Sequence, residues 1–142
     1  IAEIFSNDGE SAFRNLEEQA ISEIIDVRNH VISVGGGAVV DDENWSRLRA
    51  IGLTVWLNTP PAEIARRFVM RPGDIAQRPL IQDVASAESK DQRFVMLHDR
   101  ISNFIKHRQK RFEEADASIV DSYSTPESAA MVVKSKISSQ KS

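Results

Sequence analysis

Three consecutive glycines, Gly35-Gly36-Gly37, close the β-branched run HVISV at residues 30–34. Successive glycines let backbone N–H groups come close to a ligand, because no Cβ blocks the approach. By themselves they read equally well as a tight turn without a ligand. Arg14 lies three residues before Glu17, so the two share one face of a helix. Alone, that pair reads as a surface ion pair contributing well under about 1 kcal/mol. Arg108, in HRQKRF, sits near the end of a long helical pattern, where a cation is favoured by the helix dipole in any case. Arg71 and Arg78 differ, because the stretch between them contains Pro72 and Gly73, and Pro79 comes directly after. Arginines on such loops often close over phosphate.

These residues must be positioned by an alternation of helices and strands. From Glu10 to Ile25, Phe13, Leu16, Ala20 and Ile24 recur at helical spacing and predict a helix with one buried stripe. His30–Val34 predicts a buried strand ending at the glycines. Asp41–Ile51 predicts a helix with acidic capping residues and a stop at Gly52. Leu53–Leu57 predicts a second strand, and Pro60-Pro61 open a helix to about Met70. Arg71–Asp83 lacks periodicity and holds two prolines, so a loop is expected there. Glu88–Glu114 predicts a long helix, or two, with Phe94, Leu97, Ile101, Phe104 and Ile105 buried. Ala117–Val120 predicts a third strand, and Thr125-Pro126 a capped start for the last helix. The fold class implied is α/β with a parallel sheet covered on both faces. Ligands then bind beyond the carboxyl ends of the strands, where the glycines lie.

Bulk properties narrow the function. At 142 residues the chain suits one hydrophobic core. Its net charge of −3 argues against a nucleic-acid surface, and no apolar run is long enough to cross a bilayer. Without cysteine, disulfides and thiolate metal sites are excluded. His30, His98 and His107 lack metal-ligand spacing, so no metal site is expected in these residues. Trp45 and Trp56 read as core, and Asp41-Asp42 as a helix cap.

Taken as a set, the motifs resemble shikimate kinase. The resemblance runs from IAEIFSNDGESAFR through Arg14-x-x-Glu17-x-x-x-Ile21 to Val31-Ile32-Ser33-Val34-Gly35-Gly36-Gly37-Ala38-Val39. It continues through Arg71 to Arg78-Pro79-Leu80, then Arg108-Gln-Lys-Arg-Phe112-Glu-Glu-Ala-Asp116, and ends at Val120-Asp121-Ser122 to Pro126. Phe112 stands where the family usually has tyrosine. The resemblance implies an adenylate kinase-like P-loop fold, a three-layer α/β/α parallel sheet. It also implies transfer of the ATP γ-phosphoryl group to the 3-hydroxyl of shikimate, with Mg2+. Arg14 and Arg108 would hold the shikimate carboxylate, since guanidinium forks match a carboxylate bidentately and lysine does not. Glu17 would orient Arg14, and Gly36 and Gly37 would donate backbone hydrogen bonds to ring hydroxyls, with Gly35 shaping the turn. Arg78 would act on the transferring phosphoryl group as the catalytic arginine of a lid. Arg71 and the turn before Pro126 would border the adenine.

The resemblance divides residues 1–137 into substrate-binding helices (1–30), a lid (71–83) and the remaining domain, with 138–142 a polar tail. No Gly-x-x-x-x-Gly-Lys-Ser/Thr occurs in the 142 residues, and the opening at Ile1 without methionine leads us to expect sequence upstream. That segment, about 30 residues or more, would carry the phosphate loop, the first strands and the metal ligands. Residues 1–142 alone are then expected to fold poorly and to lack activity. Two other readings stay open: a related small-molecule kinase such as a gluconate kinase, and a kinase-derived binding module that does no chemistry. A cytoplasmic monomer is the expected setting, although a plastid transit peptide would precede Ile1.

Overall fold

A computed structural model describes residues 1–120 and 125–140. The chain opens with α1 (Ala2–Asn7) and α2 (Gly9–Glu23), turns at positive-φ Gly9, and crosses an irregular segment to α3 (Asp42–Ile51). Strand β1 (Val55–Asn58), α4 (Pro61–Met70) and the short α5 (Gly73–Ala76) come next. A 3-10 helix (Pro79–Ser86), the 24-residue α6 (Lys90–Glu113), strand β2 (Ala117–Val120) and α7 (Pro126–Gln140) complete it.

Local chemistry sets these boundaries. The Asp41 carboxylate accepts from Asn44 N at 2.8 Å and starts α3. Pro61, whose missing N–H is no loss at a first helical position, starts α4. Ser89 accepts from Gln92 N at 3.1 Å, while the Gln92 side chain accepts from Glu88 N at 2.9 Å, a reciprocal arrangement that starts α6. Thr125 Oγ1 accepts from Ser128 N at 3.2 Å at the head of α7. That last helix takes in the first three residues of the expected polar tail.

Strands β1 and β2 pair in parallel, Val55 opposite Ala117 and Asn58 opposite Val120, joined through α4, the lid segment and α6. The α/β class with a parallel sheet is as expected. In this register Leu57 and Val120 point to opposite faces. They are 52% and 61% exposed, whereas Ala117 and Ile119 are buried, so β2 covers one face and leaves the other open among the described residues.

Three expectations need correction. The expected strand His30–Val34 is absent: the segment forms no ladder with a described residue and leaves Val31 98% exposed. A β-branched run supplies the side chains of a strand but not the partner whose backbone groups it must meet. The expected stripe on α2 is only partly covered. Ile21 is buried, but Leu16 and Ala20 are exposed, because α3 packs against the Ile21 face and no described element lies over the other. The expected lid loop is helical over most of its length and anchored by fully or nearly fully buried Ile75, Ile81 and Val84. By contrast, α6 is unbroken.

Most of the buried apolar residues form two groups, apart from Ala117 and Ile119 on β2. Ala65, Ile75, Ile81, Val84, Leu97 and Ile101 join α4, the lid segment and α6. Ile21, Ala38, Val39, Trp45 and Leu48 join α2, the glycine turn and α3, with Phe112 packed alongside.

Candidate functional site

The glycine turn is fixed by its C-terminal neighbours. Ala38 and Val39 are buried in the second apolar group, while Ala38 N donates to Gly35 O at 3.0 Å and Val40 N to Gly37 O at 3.1 Å. None of the three glycines has positive φ, so their contribution is close approach rather than an unusual backbone. A Cβ on Gly37 would lie 2.7 Å from Arg14 Nη1 and 3.0 Å from Nη2, closer than real contacts allow. At Gly36 a Cβ would lie 3.6 Å from Phe112 Cζ and 3.8 Å from Arg108 Nη1. At Gly35 it would lie 3.8 Å from Glu17 Oε1. The turn therefore meets α2 through Arg14 and Glu17, and α6 through Arg108 and Phe112.

Arg14 is held from both sides along its own helix. Its Nη1 donates to Glu17 Oε2 at 2.7 Å and its Nη2 to Glu10 Oε1 at 3.1 Å. Burial works against the Arg14 charge, but these hydrogen bonds and the adjacent carboxylates outweigh it and raise the pKa. Arg108 shows the opposite balance. Burial, and then repulsion from Arg14, lower its pKa, and its guanidinium makes no ion pair among the described residues. It rests on the Phe104 ring, 5.2 Å from the centroid. Two guanidinium groups held near glycine backbone, one with spare donors, have the chemistry to accept a carboxylate.

The end of α6 is tied down next to this place. Trp45 Nε1 donates to Glu114 Oε2 at 2.7 Å, and Arg111 bonds both Glu114 and Asp42. Phe112 stacks on Trp56 with centroids 5.4 Å apart, linking the turn to β1. An opening of about 240 Å3 flanks Arg108 on the Lys110 and Arg111 side, and neither Arg14 nor Gly37 lines it.

The structure thus brings together Arg14, Glu17, Gly35, Gly36, Gly37 and Arg108. It does not bring Arg71, Arg78 or Pro126 to them. Arg78 lies over the Phe68 ring, 5.2 Å from its centroid, and exposed Arg71 caps α4 through its backbone. Pro126 starts α7, and residues 121–124 of the turn before it lie outside the described residues. Glu10 was missed by sequence reasoning, although its position four residues before Arg14 on a helix was a usable signal.

Comparison with known proteins identifies the family. The family model described as "Shikimate kinase" matches residues 1–138. The chain is 41% identical over 100 residues to a shikimate kinase of Synechococcus elongatus, covering 70% of this chain and 50% of that protein. It is 32% identical over 130 residues to a shikimate kinase of a Synechococcus species, covering 92% and 58%. Among solved structures, a shikimate kinase from Acinetobacter baumannii in complex with shikimate superposes with a TM-score of 0.79 at 25% identity, over 99% of this chain and 71% of that one. A shikimate kinase from Bacteroides thetaiotaomicron gives 0.73 at 25% identity, over 96% and 73%. The chain spans half to somewhat over half the length of these two curated relatives.

Proposed function

The chain belongs to the shikimate kinase family, and on that footing we propose that it forms the acid-binding side of an enzyme that phosphorylates shikimate. The γ-phosphoryl group of ATP goes to the 3-hydroxyl, giving shikimate 3-phosphate for aromatic amino acid synthesis. Arg14 and Arg108 hold the carboxylate, and Glu17 keeps Arg14 in the orientation that presents its fork. Gly36 and Gly37 donate backbone N–H groups to ring hydroxyls, which a Cβ at either position would push away. Arg78 reaches the phosphoryl group when the lid closes. Arg71 and the turn before Pro126 border the adenine. The setting is a cytoplasmic monomer.

The observation that carries this reading is the approach of Arg14 to Gly37, so close that a Cβ there would force the guanidinium to shift. The shikimate named with the Acinetobacter baumannii neighbour supports the choice of ring acid. The residues present do not fit the phosphate and metal side. No group of three or more His, Asp or Glu converges among the described residues, and the 142 residues contain no Gly-x-x-x-x-Gly-Lys-Ser/Thr. Apart from Arg78, these residues are therefore given no role in holding Mg2+ or the ATP phosphates.

Arg14→Lys tests the assignment in a coupled ADP-release assay on the gene product. It replaces a fork by a point charge, so KM for shikimate should rise about tenfold or more while KM for ATP stays nearly unchanged. Equal changes in both would overturn the role of Arg14. Tight shikimate binding with no ADP release from the natural gene product would favour a binding module instead.

A further inference from the structure

The receptor already contains a carboxylate that occupies the guanidinium it would offer to a ligand. Glu10 Oε1 accepts from Arg14 Nη2 at 3.1 Å, while Glu17 Oε2 takes Nη1 at 2.7 Å. The two acids are not equivalent. The Glu17 side chain is 14% exposed and lies next to Gly35, whereas the Glu10 side chain is 57% exposed, in the first turn of α2. Both acids are near enough for their charges to act on Arg108 as well as on Arg14. Two arginines and two glutamates thus share the site and sum to zero charge. A free acid that takes the Arg14 head group must exchange against one of its carboxylates, and the exposed Glu10 is the one that water can take up at little cost.

We propose that Glu10 is an internal stand-in for the ligand's carboxylate, which competes for Arg14 and sets the affinity for the acid. This rests on the assignment of Arg14 to a ring carboxylate. Glu17 holds the guanidinium in place, and Glu10 swings away when the ligand arrives. The site then trades one carboxylate for another, and its affinity for anions is held below what two arginines alone would give. Acids lacking a ring that fits against the glycine turn gain too little from Arg14 alone to displace Glu10, so the exchange also sharpens selection.

The test is calorimetric titration of the gene product and its Glu10→Gln variant. The probes are shikimate, its neutral methyl ester and benzoate, each at low and high salt. Loss of an exposed competing ion pair should tighten shikimate binding by about two- to fivefold. The gain should shrink at high salt and be absent for the ester. Glu10→Asp, which keeps the charge near the helix N-terminus but shortens the reach, should fall between the two and controls for the helix dipole. Weaker acid binding in Glu10→Gln, or equal changes for acid and ester, overturns the stand-in role and leaves the proposed activity intact. Benzoate bound more tightly by the variant, with no shikimate binding by either protein, keeps the stand-in role and removes the proposed substrate. If neither folded protein binds any of the carboxylates, both readings fall.

Discussion

Arg14 and Arg78 stand in contrasting settings. Around Gly37, Arg14 is gripped by two carboxylates and lies where a Cβ on the glycine would displace it. On the lid segment, Arg78 lies on the Phe68 ring and bonds no carboxylate among the described residues. The packing beneath them differs in the same sense. The segment at residues 73–86 is pinned by fully buried Ile75 and Val84 against Leu97 of α6, an apolar anchor. The acid side has a smaller apolar group, and its order depends on a balance of charges, which a charged ligand can shift. One region is held chiefly by charge pairing and the other by apolar packing.

The largest effect should come from the apolar side. Leu97→Ala removes a fully buried side chain and should cost about 2–5 kcal/mol of stability, read by denaturant unfolding. Acid binding by the molecules still folded should be unchanged. A proportionate loss of affinity would break the division between the two regions. On the acid side, Gly37→Ala should do the reverse. Its Cβ displaces Arg14. Losing one charge-assisted hydrogen bond, worth about 1.5–3 kcal/mol, weakens shikimate binding roughly 10–100-fold with little change in melting. Gly36→Ala meets Phe112 at an ordinary 3.6 Å and should be milder; equal losses from both would point to general disruption of the turn.

The smallest effect concerns the fork that ties the lid to α6. Arg100 donates to both carboxylate oxygens of Asp83, at 3.0 and 2.7 Å, and to Leu80 O at 2.8 Å. These hydrogen bonds, outweighing a slight burial cost, lower the Asp83 pKa. A carboxyl lowered on folding adds stability above its unfolded value, about 3.9, and loses it as pH falls through the folded value. Melting temperature in Asp83→Asn should therefore fall less steeply than in the parent as the solution is acidified below about pH 5, while the two behave alike in their slopes near neutrality. Identical acid profiles would show that this exposed fork contributes nothing.

Helices with local start and stop signals were legible in the sequence. Asp41, Pro61 and Pro126 stand at the boundaries because capping is decided within a few residues. Strand β2 was legible as a short β-branched run bounded by turn residues. The run at residues 30–34 was not, since a strand is a relation between two segments and a single sequence shows only one. The lid's helical turns were hidden by Pro72, Gly73 and Pro79, although Ile81 and Val84 carry the three-residue spacing of a 3-10 helix. In the site, Arg14, Glu17, the glycines and Arg108 were found through the resemblance, because type and order survive where spacing alone is mute. Arg71, Arg78 and Pro126 were also named through the resemblance, and the structure shows them capping α4, lying over Phe68 and starting α7.

The pairing of β1 with β2 also bears on how the molecule forms in time. Val55 meets Ala117 only after a long intervening loop has been closed, and such closure carries an entropic cost that local helix formation does not. Helices α4 and α6, which pack together inside that loop, shorten the effective gap once they dock. The strand pair is thus expected to zip late, with Asp116 meeting Thr54 at its entrance. Its rate of closure is set by how fast the helical hairpin within the loop has consolidated.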